Sequence, residues 1–526
     1  MKKSIILSFV GAALFFCHTA KSSAPDRITL TWAGDPHTTQ TITWRTDNTE
    51  AVGEVQYTAA EDSANFAAKK MDVKEDSSGK YKTDIESWYI HTLTLKNLKP
   101  GKTYCYRVGY GNSWSARSTF TTESTDTKNF RFLIFGDSQS GNPLDPNYKV
   151  FGITIHNAYK ANPSSAFFIN VGDLVEVGGD NKHWNNWFDA VNGVINNIPF
   201  MPVVGNHDTY TTLGGLGKPV SFIRQFNVPQ QNVPDGFKGQ IYSYDYGNVH
   251  FAVWDSQIQE EKPDKAMLNK ELDWLRKDLK NTDRIWKVVL FHKTPYYTKI
   301  SRSNDTLKAM LQPIFDSAHV DLVVNGHDHG VSWTYPIKND NLKSKPSQGT
   351  VYYLAGRSGN KSYNDLVPKV WNAGFYDPQD MPNYVVADVN ASQFKLVAYK
   401  QDMTPVDTFI IDKAKDEIFP LKVPVKFKET KLVLYGKAMS DTVKVLNMDN
   451  VWYIPATAFV EYLHGKSDKN ADGLQLKVKK RTGEFTVKHF PQSKNIDMIS
   501  AEDIRAKLGF KYHYDEAMNM LLFSKD

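Results

Sequence analysis

The chain has 526 residues, of which 41% are hydrophobic and 23% charged, so it has enough apolar material for folded cores and enough charge for a soluble surface. At about 150 residues per domain, this length favours roughly three domains. The composition excludes a largely disordered, collagen-like or coiled-coil protein, and a net charge of +5 is too small for a dedicated nucleic-acid-binding protein.

Residues 1–24 are predicted to be a bacterial-type secretory signal peptide. A basic start is followed by an apolar stretch at 5–17, which is too short to span a bilayer, and then by small residues up to Ala24. Cys17 lies inside this segment, so the mature chain keeps Cys105 as its single cysteine and forms no internal disulfide. We therefore expect a secreted, periplasmic or surface-associated protein.

Residues 25–124 alternate polar and apolar side chains, which predicts half-buried strands. The segment 97–104 is a turn before a strand and resembles the corner of fibronectin type III sandwiches. We predict an all-β, fibronectin- or immunoglobulin-like sandwich with Trp44, Leu98 and Tyr104 in its core. The predicted strands are 28–32, 41–44, 55–57, 88–95 and 104–108.

Residues 128–412 show a different pattern, in which short apolar runs alternate with helical segments. This pattern predicts an α/β layered domain. The apolar runs are 132–135, 166–171, 200–204, 250–254, 288–291, 322–324 and 351–354. Amphipathic helices are predicted over 184–194, 268–279 and 307–315, the last capped by Asn304 or Asp305.

Residues 420–526 contain a weak internal repeat, which predicts a small α+β module with two copies of a strand leading into a short helix. Ile454, Ala456, Phe459 and Leu463 recur as Ile499, Ala501, Ile504 and Leu508. The module has an excess of Lys, which fits either a solvated surface or contact with an anionic cell-wall polymer or membrane.

Short polar motifs follow the apolar runs of the central domain. Loops at the carboxyl ends of strands converge on one crevice, and the glycines allow the sharp turns that such loops need. Their carboxylate, amide and imidazole groups are the ligands of hard or borderline divalent metals. The motifs are Gly136-Asp137-Ser138-Gln139, Gly172-Asp173-Leu174-Val175-Glu176, Gly205-Asn206-His207-Asp208, His292 and Gly326-His327-Asp328-His329.

In this order the motifs resemble those of the calcineurin-like metallophosphoesterase superfamily. With the preceding sandwich, which contains Tyr104 and Trp114, the arrangement is similar to the purple acid phosphatases. The segment Tyr453-Ile454-Pro455-Ala456 resembles the copper amine oxidase N-terminal-like domain, a similarity that implies no copper.

The resemblance implies a dinuclear centre of two divalent or trivalent ions (Fe, Mn or Zn), with Asp173 bridging them. It places Asp137 and His329 on the first metal and Asn206, His292 and His327 on the second. Such a centre generates a hydroxide that attacks phosphorus in line.

The resemblance also implies roles beyond metal binding. His207 would contact the phosphate, as would Asn206, and act as a clamp or general acid, with Asp208 accepting a hydrogen bond from the His207 ring. A structural role for His207 is the alternative. Asp328 is expected either to support the ligands from behind or to lie at the surface, and not to bind a metal.

Two departures from the purple pattern concern the first metal. Glu176 stands where the purple enzymes have an iron-binding Tyr, and Gln139 stands where other relatives have a His. The sequence leaves three options for this metal: the Gln139 carbonyl oxygen, the Glu176 carboxylate or a water. In every case we expect a colourless enzyme.

A third departure concerns the substrate. Ser301 and Arg302 occupy the stretch in which the purple family has paired histidines, after Tyr296 and Tyr297. Arg302 is a candidate phosphate ligand, because its guanidinium has forked donors, and the Tyr pair is a candidate pocket lining. Surface or packing roles are the alternatives for all of them.

The function predicted from these residues is that of an exported dinuclear-metal phosphatase, which hydrolyses small phosphate monoesters and binds no nucleic acid. One alternative is a phosphodiesterase or nucleotide hydrolase with the same site. Another is a catalytically inactive surface-binding protein.

Overall fold

The structure is a computed structural model. It describes residues 24–525 except for 48–51, 69, 73–78, 83–86, 258–264, 418–427, 435–436, 439–442, 449–450, 463, 471–472, 479–480, 488–495 and 516–517. The predicted signal segment therefore lies outside the described residues, apart from Ala24. None of the helices described is both long and apolar enough to cross a membrane.

The N-terminal domain is the predicted β-sandwich. One sheet has the order β1-β2-β6-β5, and the other has the order β4-β3-β7-β8 with β9 also paired to β7. Trp44, Leu98 and Tyr104 are buried as predicted. A 3-10 helix at Ala60–Ala68 was not predicted. The strands are β1 Asp26–Thr31, β2 Gln40–Thr46, β3 Glu54–Ala59, β4 Lys70–Asp72, β5 Gly79–Lys82, β6 Ser87–Leu95, β7 Thr103–Tyr110, β8 Ser113–Trp114 and β9 Ser118–Thr121.

The central domain contains two large sheets that face each other. Their orders are β12-β11-β10-β22-β23-β24 and β13-β14-β15-β16-β20-β17-β21. The strands are β10 Phe130–Phe135, β11 Ser165–Asn170, β12 Phe200–Pro202, β13 Tyr242–Tyr246, β14 Val249–Val253, β15 Trp286–Lys293, β16 Leu322–Gly326, β17 Val331–Thr334, β18 Ile337–Lys338, β19 Asn341–Leu342, β20 Val351–Ala355, β21 Asn372–Tyr376, β22 Asn383–Val389, β23 Gln393–Lys400 and β24 Pro405–Asp412.

Helices cover the outer face of each sheet. One core lies between the sheets, and two further apolar clusters lie between a sheet and its helices. The helices are α1 Lys149–Ala161, α2 Asn181–Val191, α3 Val220–Gln225, α4 Lys265–Asn281 and α5 Asp305–Ala318. Asn304 precedes α5 but makes no side-chain cap, because its amide donates to the carbonyl of Thr294 instead.

The first two domains pack closely against each other. Trp32 of the sandwich is buried in the core between the central sheets, with its ring centroid 5.3 Å from those of Phe167 and Tyr246. Beside this contact, a cavity of about 370 Å³ is lined by charged residues of both domains, among them Glu123 and His250. The described part of the chain has one cysteine, Cys105, which is buried and free.

The C-terminal module contains the predicted pair of strand–helix units, although Leu463 of the first copy lies outside the described residues. The strand β28 leads into α6, β32 leads into α7, and the two strands pair antiparallel with Ile454 opposite Ile499. Tyr453 and Met498 pack against Leu342 of the central domain. The elements are β25 Lys428–Leu434, β26 Lys437–Ala438, β27 Val443–Met448, β28 Val451–Pro455, α6 Ala456–Tyr462, β29 Lys466–Asn470, β30 Gly473–Val478, β31 Arg481–Phe485, β32 Met498–Ser500, α7 Ala501–Leu508, β33 Phe510–Asp515 and β34 Met520–Lys525.

Candidate metal centre

Six side chains predicted to bind metal come together at the carboxyl ends of strands from both central sheets. We call them the metal crevice: Asp137, Asp173, Asn206, His292, His327 and His329. Nε2 of His292 lies 3.1 Å from Oδ2 of Asp173 and 3.1 Å from Nδ1 of His327. Nε2 of His329 lies 3.2 Å from Oδ1 of Asp137. Among the described residues, Asp173, His292 and His327 form the one group of three acidic, His or Cys side chains close enough to share an ion.

Two buried amides also fit a metal centre. Oδ1 of Asn206 and Oε1 of Gln139 have no hydrogen-bond partner among the described residues. The amide nitrogen of Gln139 lies 3.2 Å from Oδ2 of Asp173 and 3.5 Å from Nε2 of His329, so this side chain is at the first-metal side. Buried acceptors without partners are costly, and a bound cation would satisfy both. The residues present therefore fit two metal ions.

The histidines are oriented by their second nitrogen. Nδ1 of His292 donates to the carbonyl of Val171 at 2.9 Å, and Nδ1 of His329 donates to the carbonyl of Lys361 at 3.0 Å. Both bonds leave Nε2 as the nitrogen that faces the crevice. A backbone acceptor on the far nitrogen is the usual way in which proteins orient metal-binding histidines.

The backbone at the crevice turns as predicted at Gly172, where φ is 101°, but elsewhere it turns at the ligands. Positive φ angles occur at the ligands themselves, with 50° at Asp137, 54° at Asp173, 75° at His327 and 62° at His329. Gly205 has no positive φ and serves close approach instead, because a Cβ there would collide with Asp173. Residues held at unusual φ mark a local constraint, here the convergence of ligands.

Electrostatics in the crevice favour a cation. Burial alone would raise the pKa of Asp173, but His292 and His207 outweigh it and hold that pKa well below its usual range. Burial opposes a charge on His292, yet the Asp173 carboxylate raises the pKa of His292 to about 9. The crevice is therefore electrostatically suited to a cation beside Asp173.

His207 lies beside the crevice, but its predicted hydrogen bond to Asp208 is wrong. Nδ1 of His207 faces the carbonyl of Glu176 at 2.9 Å. The Asp208 carboxylate instead accepts from the backbone N–H groups of Leu174, Val175 and Gly205 at 2.8 to 3.2 Å. Asp208 therefore holds two metal-binding loops together, because buried N–H groups need acceptors. Burial and the nearby Asp173 raise the pKa of Asp208 to about 7.

Glu176 does not face the first metal. Its Oε2 accepts from the N–H of Gly141 at 2.8 Å, while Oε1 lies 3.3 Å from Nδ1 of His207 and 3.5 Å from Nζ of Lys361. Of the options left open by the sequence, the structure places Gln139 next to the first-metal ligands. Lys361 was not among the predicted residues, although it follows a strand end and two glycines, the signal that identified the other motifs.

The loop after β15 is arranged around Asp328. This buried carboxylate accepts from the N–H groups of Thr298 and Lys299 and pairs with Nε of Arg302 at 3.0 Å. Asp328 thus shapes the loop that carries Arg302, whose role as a phosphate ligand stays a prediction. Tyr296 and Tyr297 are both buried against Trp371, which agrees with the packing alternative.

Comparison with known families accounts for the first two domains. Residues 25–122 match the model of the purple acid phosphatase N-terminal domain, and residues 130–331 match that of the calcineurin-like phosphoesterases. The predicted similarity of 420–526 to the copper amine oxidase N-terminal-like domain stays a prediction.

Individual relatives and solved structures show the same similarity to acid phosphatases. The chain is 24% identical to acid phosphatase type 7 of Mus musculus, over 67% of this chain and 84% of the mouse protein. It is 25% identical to probable inactive purple acid phosphatase 27 of Arabidopsis thaliana, over 53% and 51% of the two chains. The structure of a purple acid phosphatase from yellow lupin (Lupinus luteus) seeds superposes with a TM-score of 0.61 at 20% identity, over 74% of each chain, and shows the same fold.

Proposed function

We propose that this chain, which combines a purple acid phosphatase N-terminal domain with a calcineurin-like phosphoesterase domain, is an exported phosphatase that hydrolyses phosphate monoesters at a dinuclear metal centre. The observation that carries the proposal is the convergence of Asp and His ligands around two buried amide oxygens without partners. Export is supported by the pattern of residues 1–24.

The metal crevice would hold both ions. Asp137, His329 and Gln139 surround the first position, Asn206, His292 and His327 surround the second, and Asp173 lies between them. When bound, the metals supply Lewis-acid stabilisation of the phosphoryl group and activate the nucleophile for hydrolysis.

Residues around the crevice bind and orient the substrate. His207 lies at the crevice because its backbone N–H donates to Oδ1 of Asp173 at 2.8 Å. From there its ring borders the phosphoryl position, and the predicted role of His207 as a clamp or general acid requires a proton on Nε2. Asp208 keeps the loops of Asp173 and Asn206 in register, so it acts on the reaction through their positions.

The experiment is to measure bound metal together with hydrolysis of p-nitrophenyl phosphate and bis(p-nitrophenyl) phosphate. We expect about two metal ions per chain and a higher kcat/KM for the monoester, with both activities lost on chelation and restored by Zn²⁺, Mn²⁺ or Fe²⁺. Faster cleavage of the diester would reassign the site to a phosphodiesterase. A metal-loaded protein that cleaves neither ester would end the proposal.

A further inference from the structure

The crevice is bordered by a cation outside the set of metal ligands. Nζ of Lys361 lies 2.7 Å from Nε2 of His207 and 3.5 Å from Oε1 of Glu176. The side chain of Lys361 is 22% exposed, whereas that of Glu176 is 7% exposed. The ammonium group is therefore at the boundary between the buried ligands and solvent, where a substrate must enter.

The loop that carries Lys361 is fixed by the metal-binding loops. The N–H of Gly359 donates to the carbonyl of Asp137 at 3.0 Å, and the N–H of Asn360 donates to the carbonyl of Gln139 at 3.2 Å. The carbonyl of Lys361 accepts from Nδ1 of His329. Because the same residues position the metals and this loop, the ammonium group is held at a defined place relative to both metals.

The contacts of Lys361 also determine which nitrogen of His207 carries a proton. An ammonium group only donates hydrogen bonds, so Nε2 of His207 accepts from Lys361. The ring proton is then on Nδ1, which donates to the carbonyl of Glu176. In this state Nε2 has no proton to offer a phosphoryl oxygen, and the donor at this position is Lys361.

We propose that Lys361 is a phosphate-binding residue that gives this site its preference for monoesters; the inference rests on the proposed function. An ammonium group has three N–H donors, and His207 and Glu176 are the two acceptors recorded for it within the described chain. The third binds a non-bridging phosphoryl oxygen. A monoester dianion carries more negative charge than a diester and is attracted more strongly.

The first test measures binding without turnover, by calorimetric titration of inorganic phosphate into the metal-loaded protein. Lys361→Met should weaken phosphate binding by about tenfold or more, because a charge-assisted hydrogen bond is lost, and Lys361→Arg should retain part of it. Metal content should not change in either variant. Unchanged phosphate affinity in Lys361→Met would overturn the proposal, and so would a loss of bound metal, which would make Lys361 part of the metal scaffold.

Lys299→Met is the matched control. Nζ of Lys299 lies 3.8 Å from the ring of Tyr363, which packs on His329, but no contact of Lys299 with His207 is recorded in the described chain. We expect its phosphate affinity to stay within about twofold of the unchanged protein. An equal loss in Lys299→Met and Lys361→Met would show a general charge effect and would also overturn the proposal.

The second test concerns specificity. In Lys361→Met we expect a higher KM for p-nitrophenyl phosphate, a smaller change in kcat, and a ratio of monoester to diester kcat/KM that falls by about tenfold. An unchanged ratio would refute the specificity role. If the unchanged protein cleaves neither ester, the proposed function fails, while the phosphate titration still decides whether Lys361 binds phosphate.

Discussion

Among the described residues, His and Asp side chains cluster in the metal crevice and in a second group. The hydrogen-bond partners of the histidines differ between the two groups. In the metal crevice, Nε2 of His292 lies 3.1 Å from Oδ2 of Asp173 and also 3.1 Å from Nδ1 of His327, so two rings and a carboxylate converge on one position. The second group lines the cavity between the first two domains, and we call it the interdomain cluster (Asp245, His250, Asp278 and Arg284). Each ring nitrogen of His250 faces a carboxylate, at 2.7 and 2.8 Å.

This difference separates a metal site from a structural ion network. In the interdomain cluster Arg284 also pairs with Asp245 at 3.1 Å, so cations of the chain itself balance its carboxylates. The crevice has two carboxylates and unpartnered amide oxygens that a cation would satisfy. Composition alone does not reveal a metal site, whereas the pairing of its polar atoms does.

The largest expected effect is a loss of activity and metal on mutation of the metal crevice but not of the interdomain cluster. His292→Ala should lower kcat/KM by about 10³-fold and reduce bound metal, because a metal ion supplies several kcal/mol of transition-state stabilisation. His250→Gln should retain both the kcat/KM and the bound metal of the unchanged protein. Both variants are compared with the unchanged protein by esterase kinetics and metal analysis. Loss of metal in His250→Gln would contradict the distinction between a metal site and a structural cluster.

The next largest effect is expected on stability, from removal of the Asp208 carboxylate that joins the metal-binding loops. Asp208→Ala leaves three buried backbone N–H groups without their acceptor and should cost about 3 kcal/mol of stability, seen as a lower midpoint of thermal unfolding. Asp189→Ala, on an exposed position of α2, is the control and should change little. Equal midpoints for the two variants would contradict the role given to Asp208.

The interdomain cluster should make stability depend on pH. Burial lowers the pKa of His250, but hydrogen bonds to Asp245 and Asp278 outweigh it and raise that pKa from 6.5 to about 9. The shift corresponds to about 3 kcal/mol, present below pH 6.5 and lost as the pH rises through about 9. The thermal midpoint should fall across this window, and the fall should be smaller in His250→Gln. Identical pH profiles of the thermal midpoint in His250→Gln and the unchanged protein would contradict the assignment of this pH dependence to His250.

The smallest expected effect tests the first-metal position. Gln139→His supplies an imidazole where the structure places an amide, and should tighten binding of one Zn²⁺ or Mn²⁺ by about tenfold. Gln139→Leu, which has no donor atom, should weaken it. Calorimetric metal titration measures the affinities of the first and second metal separately. Equal metal affinities in Gln139→His and Gln139→Leu would mean that residue 139 does not contact a metal.

Much of the crevice could be predicted because each ligand lies at the end of a buried strand or shortly after it, and strand ends meet whatever the loop lengths. The role of Asp208 was predicted wrongly because its partners are backbone N–H groups, which have no signature in the sequence. Lys361 was missed although it follows a strand end and two glycines, because a Lys is not a metal-ligand type and its contact with His207, 154 positions away, exists only after folding.

The fold was predicted less completely. Helix α1 was missed because Tyr148 provides no side-chain cap, and Gly152, Thr154 and Ile155 are poor helix formers. The antiparallel strands β22 to β24 were also missed, because only short turns separate them and they do not follow the alternation of strand and helix.

The ligands of the crevice come from both central sheets: Asp137, Asp173 and Asn206 follow strands of the first, and His292, His327 and His329 lie in or after strands of the second. A metal pair bound there would join the two sheets at one edge, in addition to the apolar core and the hydrogen bonds between them. Neither sheet can then open locally without breaking coordination, so backbone amides in β10 and β15 should exchange hydrogen together in the loaded protein and independently after chelation.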